Sequence, residues 1–113
     1  MRLRRPADFE RVRQDGHAYH HRWVIFSVRP NGLGRNRYGI ITSKRLGKAV
    51  ARNRVRRLLR EALRLSHPEL QAGFDIVVVA RPAIVGQPFE AIRRIIRELA
   101  AQSGVLWMES DRA

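Results

Sequence analysis

Residues 74–80, Phe-Asp-Ile-Val-Val-Val-Ala, form a nearly continuous apolar run dominated by β-branched side chains. Strict alternation would mark a strand with one wet face. This run lacks it, so it reads as a buried central strand with other elements assembled around it. The rest of the chain offers those elements. Residues 6–14 read as a short helix: Pro6 suits the first turn, Asp8 and Glu10 favour its positive end, and Gly16 suits a C-terminal cap. Phe9 and Val12 share one face of that helix. Residues 17–21 read as a polar connection. Residues 23–28 and 37–43 read as strands, joined through the turn at Pro30-Asn31-Gly32-Leu33-Gly34 into an antiparallel hairpin. A helix over residues 48–65 closes at His67-Pro68. After the central strand and a connection at 82–88, Phe89, Ile92, Ile95, Ile96 and Leu99 mark an amphipathic helix over 89–102, ended by Ser103-Gly104. The order α-β-β-α-β-α describes a small α+β sandwich with helices packed on a short sheet. Its 113 residues suit a single domain, with 105–113 expected as a loose C-terminal tail.

Charge is concentrated in one place. Residues 44–64 contain nine Lys or Arg and one acid, Glu61, so they carry +8 of the chain's net +13. The same stretch holds a helical apolar stripe, with Ala51, Val55, Leu58, Leu59 and Ala62 at i, i+4, i+7, i+8 and i+11. At about 100° per residue, Arg52, Arg56, Arg60 and Arg64 fall on the other side, beside Asn53 and Arg57. A solvated surface helix normally mixes signs in i, i+4 pairs, because like charges at that spacing repel. A polyanion that relieves the repulsion explains the pattern. Guanidinium, planar and permanently charged, matches phosphate with paired donors, and the charge balance makes nucleic acid the leading partner.

Protein-borne catalysis has little support in the sequence. His17, His20 and His21 are close together, but without cysteine or a helical His pair they read as a solvated loop and not a metal site. The ten acids are mostly isolated and offer no paired carboxylates for acid–base work. No serine has a nucleophile-elbow context, and Gly32-Leu33-Gly34 reads as a turn. The basic start is not followed by the apolar core of a secretory signal, and no run of about eighteen apolar residues suggests a membrane span. The aromatics are more suggestive. Trp23 and Phe26 lie on opposite faces of one strand, so a single sheet could leave an aromatic face open beside arginines, where bases stack regardless of identity. Core packing is the competing reading for each of them.

Residues 51–61, Ala-Arg-Asn-Arg-Val-Arg-Arg-Leu-Leu-Arg-Glu, resemble the arginine-asparagine-arginine signature helix of the bacterial ribonuclease P protein subunit. The similarity extends through Arg-Tyr-Gly-Ile-Ile-Thr-Ser-Lys-Arg at 37–45, Asp8-Phe9 with Val12 and Gly16, and the run at 75–81. The resemblance implies a cytoplasmic subunit that binds a catalytic RNA, one protein per RNA, together with the 5′ leader of precursor tRNA. The RNA, with its magnesium ions, would cut the bond and release the mature 5′ end. Carried onto this chain, the signature implies RNA-subunit contacts at Arg45, Arg52, Asn53, Arg54 and Arg57. It implies leader contacts at Phe9, Phe26, Arg56 and Arg60. Arg13 stands where many relatives have a second aromatic, which exchanges a stacking surface for a phosphate contact. The family also implies a left-handed crossover through the basic helix, against the usual handedness. Two other readings share the electrostatics: a ribosomal or chaperone-like protein that holds structured RNA without cleavage, and a membrane-active cationic protein. The narrow stripe of small residues in the basic helix argues against the second.

Overall fold

A computed structural model of the chain describes residues 2–106. Helix α1 (Pro6–Asp15) leads into strands β1 (His17–His20), β2 (Val24–Pro30) and β3 (Arg37–Ile41). Helix α2 (Ala49–Ser66), strand β4 (Phe74–Ala80) and helix α3 (Phe89–Ser103) follow. The four strands form one mixed sheet in the order β1-β2-β4-β3, with β3 parallel to β4 and the other pairs antiparallel. The chain is thus an α+β sandwich, as its pattern implies, with one strand more than expected.

β4 is the hub, and its composition explains why. Ile76, Val78 and Ala80 point into the main core with Val24 and Phe26 of β2, Val55, Leu59, Ala62 and Leu63 of α2, and Ile92 and Ile96 of α3. Val77 points the other way, into a smaller core with Leu3 and Val12, where Phe9, Ile41 and Val79 pack partly buried. Helices α2 and α3 therefore cover one face of the sheet, while α1 covers part of the other.

Two expectations about the strands are corrected. β2 and β3 are not a hairpin, because β4 lies between them and bonds to both. A strand buried on both faces also satisfies both of its backbone edges, and here its neighbours are β2 and β3. Residues 31–36 accordingly cross the end of β4. They are held by side chains instead of ladder bonds: Asn31 Nδ2 donates to Asp75 Oδ1 (2.9 Å), while Asn36 Oδ1 accepts from the Phe74 N–H and its Nδ2 donates to the Gln71 carbonyl (2.8 Å each). Second, residues 17–20 are not a connection but the edge strand β1. Its register, His17 opposite Val28 and His20 opposite Ile25, uses the outer edge of β2, and its polar side chains suit a sheet edge facing water.

Gly16 does cap α1, but in extended conformation (φ −83°) and not in the left-handed one. Its need for glycine is spatial: a Cβ there would lie 2.6 Å from the Val28 carbonyl oxygen. At the other end of the chain, Val105 is buried and Leu106 bridges to Leu70, so these two residues are not a loose tail. The remainder of that expectation, 107–113, lies outside the described residues.

Candidate nucleic-acid interface

Helix α2 buries Val55, Leu59, Ala62, Leu63 and Ser66. Leu58, expected in that stripe, is only half-buried at its margin, and Leu63 takes the inner place. At about 100° per residue, this orientation sorts the basic side chains by direction. Asn53, Arg54 and Arg57 point outward and are exposed. Arg52 and Arg56 flank the buried stripe on the side of β3 and are half-buried. Among the described residues, Arg64 is the one basic residue of the 44–64 segment in an ion pair, with Glu61. The others have no carboxylate partner among the described residues.

The segment before α2 folds as a 3-10 turn, Lys44–Leu46, with the Ser43 hydroxyl accepting the Arg45 N–H (3.3 Å). Arg52 donates to the Gly47 carbonyl (3.1 Å), which ties this turn to the first turn of the helix and leaves Arg45 exposed beside it. Arg56 donates to Thr42 Oγ1 (2.5 Å) and Asn53 Oδ1 (3.3 Å), so its guanidinium is oriented before any ligand arrives.

Between α2, β3 and the N-terminal segment lies a cavity of about 870 Å³. Phe9, Gly39 and Ile40 line it with Arg56 and Arg60. Phe9 reaches this position because Gly39 has no side chain: a Cβ on Gly39 would lie 2.7 Å from Phe9 Cζ. Among the described residues, five arginines and no acid line the cavity. It thus offers an apolar floor and a cationic rim, the combination that accepts bases and phosphates of a single strand.

The model of the ribonuclease P family matches residues 1–104. The ribonuclease P protein component of Chloroflexus aggregans is 44% identical over 106 residues, covering 93% of this chain and 78% of that protein. That of Caldanaerobacter subterraneus is 38% identical over 111 residues, covering 98% and 95%. The chain belongs to the ribonuclease P protein family. Solved structures agree with the fold: the ribonuclease P protein of Staphylococcus aureus superposes with a TM-score of 0.85 at 28% identity, covering 94% of this chain and 97% of that one. The protein from Thermotoga maritima gives 0.82 at 29% identity, covering 90% and 96%.

Within this family frame, the residues expected at RNA fall into three groups. Arg45, Asn53, Arg54 and Arg57 stand exposed on or beside the outer face of α2, with Arg52 folded back at its edge. Phe9, Arg56 and Arg60 meet in one cavity. The third group departs from expectation. Phe26 is fully buried in the main core beneath α2 and α3, so no base can reach its ring and its leader role is withdrawn. On the α1 side of the sheet, Phe9 packs partly buried against Leu3, Val12 and Val77, the same small core that Ile41 and Val79 join. Arg13 is exposed near the end of α1, outside the cavity lining.

Sequence reasoning missed Tyr38, His67, Arg2 and Arg4, which line the same cavity. For His67 a signal was present. Arg56, Arg60, Arg64 and His67 follow i, i+4, i+8, i+11, a second helical stripe running beside the apolar one.

Proposed function

We infer that the outer face of α2, with Arg45, Arg52, Asn53, Arg54 and Arg57, holds the ribonuclease P RNA, and that the cavity holds the 5′ leader of precursor tRNA. One observation carries this reading: Phe9 of α1 and, far from it in sequence, Arg56 and Arg60 of α2 line one cavity with no acid among its described lining residues. Phe9 would stack on a leader base while Arg56, held by Thr42, and Arg60 meet its phosphates. Arg13, four residues after Phe9 on the same face of α1, would meet phosphate at the cavity margin.

In this reading hydrolysis belongs to the RNA and its magnesium ions, with one protein per RNA, in the cytoplasm. Among the described residues, no group of three or more His, Cys, Asp or Glu side chains is gathered in one place. No described helix is long and apolar enough to cross a membrane. The protein's part is binding and orientation. In the reconstituted holoenzyme, Phe9→Ala and Arg60→Ala should weaken precursor tRNA while leaving mature tRNA, which has no leader, near the parent affinity. At saturating substrate, neither should abolish single-turnover cleavage. Equal losses for both tRNAs would refute the leader assignment. A point variant that stops cleavage in the saturated, assembled enzyme would refute placing the chemistry in the RNA.

A further inference from the structure

The cavity does not end at Phe9, Arg56 and Arg60. It continues along α2 to a second cluster built from Tyr38 of β3, Arg64 and His67 at the end of α2, and Arg2 and Arg4 of the N-terminal segment. Leu63 lies between the two clusters as apolar lining. The segment carrying Arg2 and Arg4 is fixed to the sheet, since the Leu3 N–H donates to the Tyr38 carbonyl (2.7 Å) and Leu3 itself is buried.

At this end a chain of hydrogen bonds orients one ring. The Asn36 amide is set by the Phe74 N–H donating to Oδ1 and by Nδ2 donating to the Gln71 carbonyl. That Nδ2 also faces the Tyr38 phenol oxygen (3.4 Å), which leaves the phenol hydrogen for His67 Nδ1 (2.5 Å). A neutral His67 ring then carries its proton on Nε2, the nitrogen not engaged by Tyr38. The two rings meet edge to face, with centroids 5.6 Å apart and planes at 75°. His67 is exposed, and Pro68 follows it at the start of the next turn, so the imidazole is a fixed and accessible aromatic surface. Arg64 is partly neutralised by its two bonds to Glu61 (2.9 and 2.5 Å), so Arg2 and Arg4 carry most of the free charge here.

We propose that Tyr38, His67, Arg64, Arg2 and Arg4 form a second nucleotide subsite, which binds a base and its flanking phosphate in single-stranded RNA continuing from Phe9, Arg56 and Arg60. This rests on the leader reading above and extends it: the occupant is a leader nucleotide beside the one held at Phe9. Continuity favours RNA over an acidic protein segment, because both clusters line one cavity and each combines an aromatic surface with unanswered cations.

The test is a series of precursor tRNAs whose leaders shorten one nucleotide at a time, with affinity measured for the holoenzyme. The parent should lose affinity in steps. His67→Ala and Arg4→Gln, both at exposed positions and each required to melt near the parent, should erase the same step and no other. His67→Ala should cost about 5-fold or more on long leaders, the lower bound for one lost stacked base, and nothing on short ones. Tyr38→Phe, which keeps the ring but releases the imidazole, should show the same length selectivity in smaller degree. Equal losses at every length and with mature tRNA would assign these side chains to the RNA subunit or the tRNA body and overturn the proposal. No loss at any length would overturn it as well. Phe9→Ala in the same series separates the two readings: if it weakens short and long leaders alike while His67→Ala follows the parent, only the second subsite falls.

Discussion

Arg37 closes on Asp75 with two parallel hydrogen bonds, Nε to Oδ1 at 2.8 Å and Nη2 to Oδ2 at 2.7 Å. Arg37 begins β3 and Asp75 lies in β4, in register with each other, so the pair spans the parallel junction. The same guanidinium reaches Asp8 of α1 at 3.8 Å. One ion pair therefore fixes β3 against β4 and orients α1, the helix that carries Phe9.

Asp75 is 1% exposed, and burial by itself raises a carboxyl pKa. Against that burial, the hydrogen bonds from Arg37 and Asn31 and the charges of Arg37 and Arg29 hold it below the ordinary carboxylate value. A lowered folded-state pKa contributes stability that is fully present above the unfolded value of about 3.9 and is lost as pH falls through the folded one. Urea denaturation should therefore show parent stability falling below about pH 4. Asp75→Asn should cost about 2–3 kcal/mol at pH 7, less than for a fully buried pair because Arg37 keeps some solvent. It should also flatten the acid limb. An unchanged acid limb would mean that Asp75 does not govern it.

Phe26 and Phe9 should separate cleanly. Phe26→Ala leaves a cavity in the main core and should lower stability by about 3–5 kcal/mol. Phe9→Ala, at a half-buried position on the cavity wall, should cost less stability and show its main effect as lost preference for precursor over mature tRNA. Thermal melts beside the two affinities decide the matter; a Phe26→Ala variant that melts like the parent would contradict the burial of that ring.

Gly39→Ala should mimic Phe9→Ala while keeping the ring, because the new methyl would displace it from the place where it rests. A double-mutant cycle exposes the dependence. Once Phe9 is Ala, adding Gly39→Ala should change leader binding little, giving a coupling energy of about 0.5–3 kcal/mol. Strict additivity would show that Gly39 acts elsewhere.

Binding to the ribonuclease P RNA should weaken steeply with salt, since each neutralised phosphate releases counterion. Arg54→Ala and Arg57→Ala, at exposed positions without carboxylate partners, should each make the slope of log K against log salt shallower by about one. Arg52→Ala also frees the 44–46 turn from the helix, so its effect should include lost order in that turn, read as faster amide exchange at Arg45 and Leu46.

Much of this protein is legible along the chain because its signals are local. The apolar run at 74–80 announces a strand buried on both sides. The spacing of Val55, Leu59 and Ala62 gives the inner face of α2, and the cluster of arginines with one acid points to a polyanion. The hairpin expectation failed although the evidence against it was in the same pattern. A central strand has two neighbours, and β2 and β3 were the strands available, but turn residues at 30–34 speak only for the nearest pairing. Phe26 shows the same limit. Alternation placed Trp23 and Phe26 on opposite faces of one strand, but β2 begins at Val24, and Trp23, just before it, packs half-buried against the same core as Phe26.

What the sequence by itself determined was the inventory: helices, a central strand and a basic face, encoded in periods of 2 and 3.6 and in composition, with the motif at 51–61 carrying the resemblance to the family. Tertiary structure alone decided the partners. The pairing of β1 with β2, the seat of Phe9 on Gly39, the clamp from Asp75 to Arg37, and the meeting of Tyr38 with His67 each join residues whose separation in the chain carries no pattern. Such contacts arise from how a buried strand must satisfy two edges and two faces at once, and that condition becomes visible only when the elements are packed together.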